Sequence, residues 1–199
     1  MKYRTYLTAF SCSCILVSSA TADLMWDEAI DGDLSEDYLN PTQLEVKGVN
    51  NHVVFTSIDL PGDPDREYFT FTIDAGYELS AVILDVFNTN PEFNLGFIAI
   101  ASGSQFPTPP SAPDPAEMLG YALIGTPDVG NDILQLMGEG SGAQGFTGPL
   151  GAGSYSIWAQ ETSISLDEWD VNFIVTEVPA PGVLALFGLA TVALRGRRG

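Results

Sequence analysis

The sequence predicts an all-β fold, a β-sandwich of jelly-roll-like form, and three observations carry that expectation. Eight or nine short segments rich in Val, Ile, Phe, Tyr and Thr alternate apolar with polar side chains, which is the period of a half-buried strand. Gly, Pro, Asn or Asp bounds each of them, and nothing between Asp23 and Glu177 has the spacing of an amphipathic helix. The stretch is also long enough to close a two-sheet core.

In chain order, Asp23 to Pro41 crowds Asp27, Glu28, Asp31, Asp33, Glu36 and Asp37 together and reads as an extended acidic lead-in. Gln43 to Lys47 and His52 to Ile58 read as strands. Pro61 to Asp65 is a tight loop by composition, and it delivers the chain into Arg66 to Ile73, where Phe69, Phe71 and Ile73 alternate with Tyr68, Thr70 and Thr72. Leu79 to Phe87 carries apolar residues in both phases, as a central strand does. Asn94 to Ala101 continues the pattern. Ser102 to Pro115 holds five prolines and must be a loop, because proline cannot donate to a ladder. Met118 to Ile124 and Asp132 to Met137 read as short strands, Gly138 to Gly153 as a mobile glycine-rich loop, and Ser154 to Gln160 and Glu168 to Val175 as closing strands.

The two ends are of another kind. Lys2 and Arg4 precede a mostly apolar run, Leu7 to Val17, and a small-residue site, Ala20-Thr21-Ala22. That order is a secretory signal peptide over residues 1–22, with cleavage expected after Ala22. Both cysteines, Cys12 and Cys14, fall inside it, so the mature body, 23–177, has no disulfide to rely on. At the other end, Pro179-Ala180-Pro181-Gly182 precedes an uncharged run, Val183 to Leu194, and then Arg195, Arg197 and Arg198. The run is short against the about 20 residues of a full span. The arginines would hold its end on the cytoplasmic side of the inner membrane as a stop.

Charge is segregated. All 26 acidic residues lie between Asp23 and Glu177, where Lys47 and Arg66 are the only basic ones, a formal net charge of −24. Such a surface repels nucleic acid and anionic lipid and attracts divalent cations.

The tail, residues 178–199, resembles the PEP-CTERM sorting signal, with Ala180 where the family has Glu between its two prolines. The resemblance implies an exosortase-type processing enzyme as partner, transient attachment to the inner membrane, and export to the cell envelope, surface or extracellular space. The acidic lead-in, the loop Gly62-Asp63-Pro64-Asp65 leading into Glu67-Tyr68-Phe69-Thr70-Phe71, and Ala75-Gly76 before an apolar strand resemble the bacterial pre-peptidase C-terminal domain. That family is a jelly-roll sandwich, and some members bind calcium between the lead-in and this loop. Calcium takes six to eight oxygen ligands, about 2.3–2.6 Å away, from flexible acidic segments. The candidate ligands are Asp31, Asp33 and Asp37 with Asp63 and Asp65. The competing reading is that these aspartates form turns and solvate the surface.

Catalytic patterns are missing. The single histidine, His52, begins a strand; no cysteine remains after export, and no Gly-x-Ser-x-Gly elbow is present. His52 reads as a surface strand histidine; Trp26, Trp158 and Trp169 offer rings that could stack on sugars, with core packing the default for two of them. The expectation is a non-enzymatic exported surface or extracellular-matrix protein. Its rivals are a calcium-stabilised carbohydrate- or polymer-binding module serving an exopolysaccharide and, more remotely, a hydrolase.

Overall fold

The computed structural model describes residues 23–60 and 63–179 of the chain. The signal-peptide positions Ala20 and Ala22 and the tail positions Ala180, Pro181, Gly182, Arg195, Arg197 and Arg198 lie outside these residues. Among the described residues no helix is long and apolar enough to cross a membrane.

Among the described residues ten strands form two sheets packed face to face. The first contains β1 (Asp23–Asp27), β3 (Asn50–Leu60), β10 (Leu166–Glu177) and β6 (Tyr77–Asn90) in that order, with β4 (Asp63–Pro64) paired to the end of β3. The second runs β2 (Thr42–Gln43), β5 (Arg66–Ile73), β9 (Gly153–Glu161), β7 (Gly96–Ser102), β8 (Gly120–Ile124). Pairing is antiparallel except for β1 on β3 and β2 on β5. The inward positions are those the alternation marks: Val53 and Phe55, Phe69, Phe71 and Ile73, Ile98 and Ile100, Trp169, Val171 and Phe173, all buried. Trp169 sits at the centre, stacked on Phe55 at 5.3 Å and edge-on to Phe87 at 4.8 Å.

The outer face of the second sheet is covered as well. Phe106, from the proline-rich segment, and Met118 pack with Tyr68 and Trp158 in a separate cluster, and Tyr38 of the lead-in tilts against Tyr68. Tyr68 is therefore fully buried, although its phase in β5 is opposite to that of Phe69. The first sheet leaves its outer face to solvent, with Val54, Thr56, Ile58 and Val86 half-buried or exposed.

Four expectations are corrected. The lead-in is not wholly extended: β1 pairs with β3, and Glu28–Asp31 forms one helical turn, α1, capped by Asp27 Oδ1 on the Ala29 amide at 2.9 Å. The strand read at Gln43 to Lys47 ends at Gln43, because the Lys47 and Gly48 amides turn to Asn51 Oδ1. β6 is an edge strand of its sheet rather than a central one; Leu150 and Asp132 bridge to its free side at Leu79 and Ile83. Asp132 to Met137 is not a strand, since Leu134–Gly138 is a short helix, α2. Ile133, Leu134 and Met137 all face the core, the one-turn spacing of a helix, and Asp132 Oδ1, one residue ahead of the cap position Ile133, accepts from the Leu134 amide at 2.9 Å. The glycine-rich segment after α2 is tied down by the Gln144 and Gly145 amides on Met118 and Leu119 and by Leu150 on Leu79.

Candidate cation site

The edge of β3 creates the setting. β1 pairs along it only as far as Val54, and β4 takes up the pairing at Asp59, so the amides of Thr56 and Ile58 need other acceptors. Carboxylates supply them. Glu28 Oε2, on α1, accepts from the Thr56 amide at 2.8 Å and from its hydroxyl at 3.3 Å, while Oε1 accepts from the Leu34 amide at 3.3 Å. Asp65 Oδ2 accepts from the Ile58 amide at 3.2 Å.

Glu67 is brought to the same place from the other sheet. It shares the inward phase of Phe69, Phe71 and Ile73 on β5 and pairs with Ala159 of β9, so its carboxyl points between the sheets at one end of the sandwich. It is 0 % exposed; no backbone, neutral or cationic donor reaches either carboxyl oxygen, and its hydrogen-bonding neighbour is another acid, Asp65. Glu28, Asp33 and Glu67 each offer an oxygen within 4.8 Å of the others, and the Asp65 charge also acts on Glu67.

The electrostatics follow from that crowding. Burial, and then the charges of Glu28, Asp65 and Asp33, push the Glu67 carboxyl up to about 10, so at neutral pH it holds its proton. Burial also raises Glu28, opposed by the amide bonds from Thr56 and Leu34. A group of this kind has two ways to avoid uncompensated charge: it keeps a proton, or it binds a cation. Its donors are all hard carboxylate oxygens, with no imidazole or thiolate among them, which is the ligand chemistry of calcium.

Of the sequence-predicted ligands, Asp33 belongs to this group and Asp65 adjoins it. Asp31 does not: its Oδ2 accepts from the Asp27 amide at 3.0 Å. Asp37 is fully exposed and turned to its own turn, accepting from the Leu39 amide and the Asn40 side chain, bonds that hold its carboxyl below the usual range, the Asn40 contact first. The Asp63 side chain lies outside the described ones. Sequence reasoning missed Glu28 and Glu67. Glu67 was legible in principle, because the series Glu67, Phe69, Phe71, Ile73 places an acid on a core-facing phase.

A second concavity lies over the covered face of the other sheet, lined by Arg66, Phe97, Tyr121, Trp158, Gln160 and Pro113. Arg66 Nε is buried there without a hydrogen-bond partner, and Phe97 packs edge-on to Trp158 at 4.9 Å.

Among the described residues the fold is thus a two-sheet sandwich with a carboxyl cluster at one end, in which Glu67 is buried, Glu28 half-buried and Asp33 exposed. The chain matches no family model, no curated protein and no solved structure.

Proposed function

We propose that this is an exported, non-enzymatic β-sandwich protein of the bacterial surface or extracellular matrix, in which calcium fastens the acidic lead-in to the sandwich. The jelly-roll assignment, the signal peptide and the PEP-CTERM-like tail with its exosortase-type partner belong to the same reading. The observation that carries it is Glu67, a buried carboxyl that no neutral or cationic donor reaches, set among the acids Glu28, Asp33 and Asp65. Export supports the ion chosen, because calcium is abundant outside cells and the net charge of −24 concentrates divalent cations at the surface. Glu28, Asp33, Glu67 and Asp65 would hold the ion, and water would complete its shell.

The test is heat denaturation of the full-length protein with added calcium and with a chelator. A ligand that binds only the folded state raises stability by mass action, so calcium at 100 times its dissociation constant should add about 2.7 kcal/mol, read as a rise in Tm. An identical Tm in both conditions removes calcium from the account. Mass spectrometry of the native protein tests the sorting reading, since its termini report whether Ala22 and the Pro179 to Gly182 motif are processing points.

A second reading, binding of an exopolysaccharide, is favoured by one observation. Arg66 and the half-buried rings of Phe97 and Tyr121 line one groove, a combination that suits sugar rings bearing acid groups. A glycan array in which Arg66→Ala binds no less than the native protein would end that reading.

A further inference from the structure

The exposed face of the first sheet carries a second group of potential metal ligands, built by strand register alone. His52 of β3 is opposite Asn172 of β10, and Asp170, two residues along, points to the same face. β6 then slips by one residue against β10. Asp170 is paired with Val86 and Val171 with Leu84, so Asp85 is left as the extra residue of a bulge. A bulge re-aims the side chain it carries. The outcome is an imidazole Nδ1 that lies 2.8 Å from Asp170 Oδ1 and 3.6 Å from Asp85 Oδ2, with one donor atom from each residue within 4.8 Å of the others.

Three neighbouring strands contribute one ligand each, so the ladder holds the donors in place before any ion arrives. His52 ion-pairs with both carboxylates, and neither of them meets a lysine or arginine among the described residues. Two carboxylates thus face each other across a single imidazole on strands that cannot separate. The set is also chemically distinct from the Glu28 group, because it includes nitrogen. Imidazole favours zinc-class transition ions over calcium. Zinc bonds of about 2.0–2.2 Å in tetrahedral geometry put ligand atoms about 3.4 Å apart. The distances 2.8 Å and 3.6 Å bracket that value, so small side-chain rotations suffice.

The geometry points to a second metal site, in which His52, Asp85 and Asp170 bind a zinc-class divalent ion with its remaining positions open to solvent. The side chains are 16 %, 36 % and 22 % exposed, so the ion is accessible from outside. Asp170 also lines a groove with Val54, Thr56, Val86 and Glu168, from which a donor of another molecule could complete the shell.

The experiment is calorimetric titration of the full-length protein with zinc chloride near neutral pH, in saturating calcium so that the Glu28 group is filled first. The native protein binds one zinc ion per chain at a site that His52→Ala and Asp85→Asn each weaken at least about tenfold, whereas Glu67→Gln leaves it unchanged. Cobalt in place of zinc gives a visible absorption band that the same two variants lose. Asp85 is exposed enough for its asparagine variant to keep the fold, checked by circular dichroism, so it decides the matter if the His52 variant misfolds. Zinc affinity equal in native and Asp85→Asn protein, or zinc binding that only Glu67→Gln abolishes, overturns the proposal.

Discussion

Glu67 shows how one residue links packing to chemistry. In the unfolded chain its carboxyl titrates near 4.5, and in the fold it keeps its proton up to about 10. Between those values the folded state binds the additional proton, so its contribution to stability is complete below pH 4.5 and is lost as pH rises toward 10. Glutamine at this position mimics the protonated form. Glu67→Gln should therefore be more stable than the metal-free native protein at alkaline pH, by about 1–3 kcal/mol, with a flatter dependence on pH in urea denaturation. An unchanged pH profile would show that Glu67 is not the titrating group. Gly96 is a second constraint at this scale. A Cβ there would meet the Trp169 ring and Phe87, so Gly96→Ala should cost about 1–3 kcal/mol through overpacking, measured by chemical denaturation. Trp169 cannot yield, because its Nε1 also donates to Ser57 Oγ at 3.1 Å and the ring fills the centre of the core.

At the scale of elements, legibility followed periodicity. β5 is found where its alternation of Phe69, Phe71 and Ile73 placed it, at Arg66–Ile73, because each inward ring buries apolar area that no other register would bury. β6 was harder. Its two register slips against β10 leave Ser80 and Asp85 as extra residues, so Leu79, Val82, Leu84 and Phe87 all reach the core without strict alternation, and the sequence looked like a strand buried on both sides. The short apolar run Ile133 to Met137 was read with the wrong period, although Asp132 before it and Gly138 at its end are helix boundary residues. The Asp132 side chain gives a prediction. Asp132 Oδ1 accepts from both the Leu134 and the Val82 amides, so Asp132→Ala should cost about 1–2 kcal/mol and speed hydrogen exchange at both amides together. Loss of protection at Leu134 alone would mean that α2 is capped independently of β6.

Across the whole molecule, the sandwich and the acidic lead-in are two parts that meet at the β3 edge. The segregation of charge was visible in the sequence, whereas the approach of the lead-in to the Asp63 to Asp65 loop was an expectation that only the resemblance to the pre-peptidase C-terminal domain supplied. The ligand set was only partly visible, because two of its members, Glu28 and Glu67, come from a one-turn helix and from the interior phase of a strand, and their meeting depends on how the sheets stack. The same holds for His52, Asp85 and Asp170, which lie far apart in sequence and are joined by pairing and a bulge. The central claim is that a cation takes the place of the Glu67 proton at this junction. It is tested most directly by titrating calcium into the full-length protein at neutral pH in two buffers of different ionisation enthalpy, which counts the protons released. The account predicts close to one proton per calcium bound, and none from Glu67→Gln. Calcium binding with no proton release, or no binding at all, would contradict it.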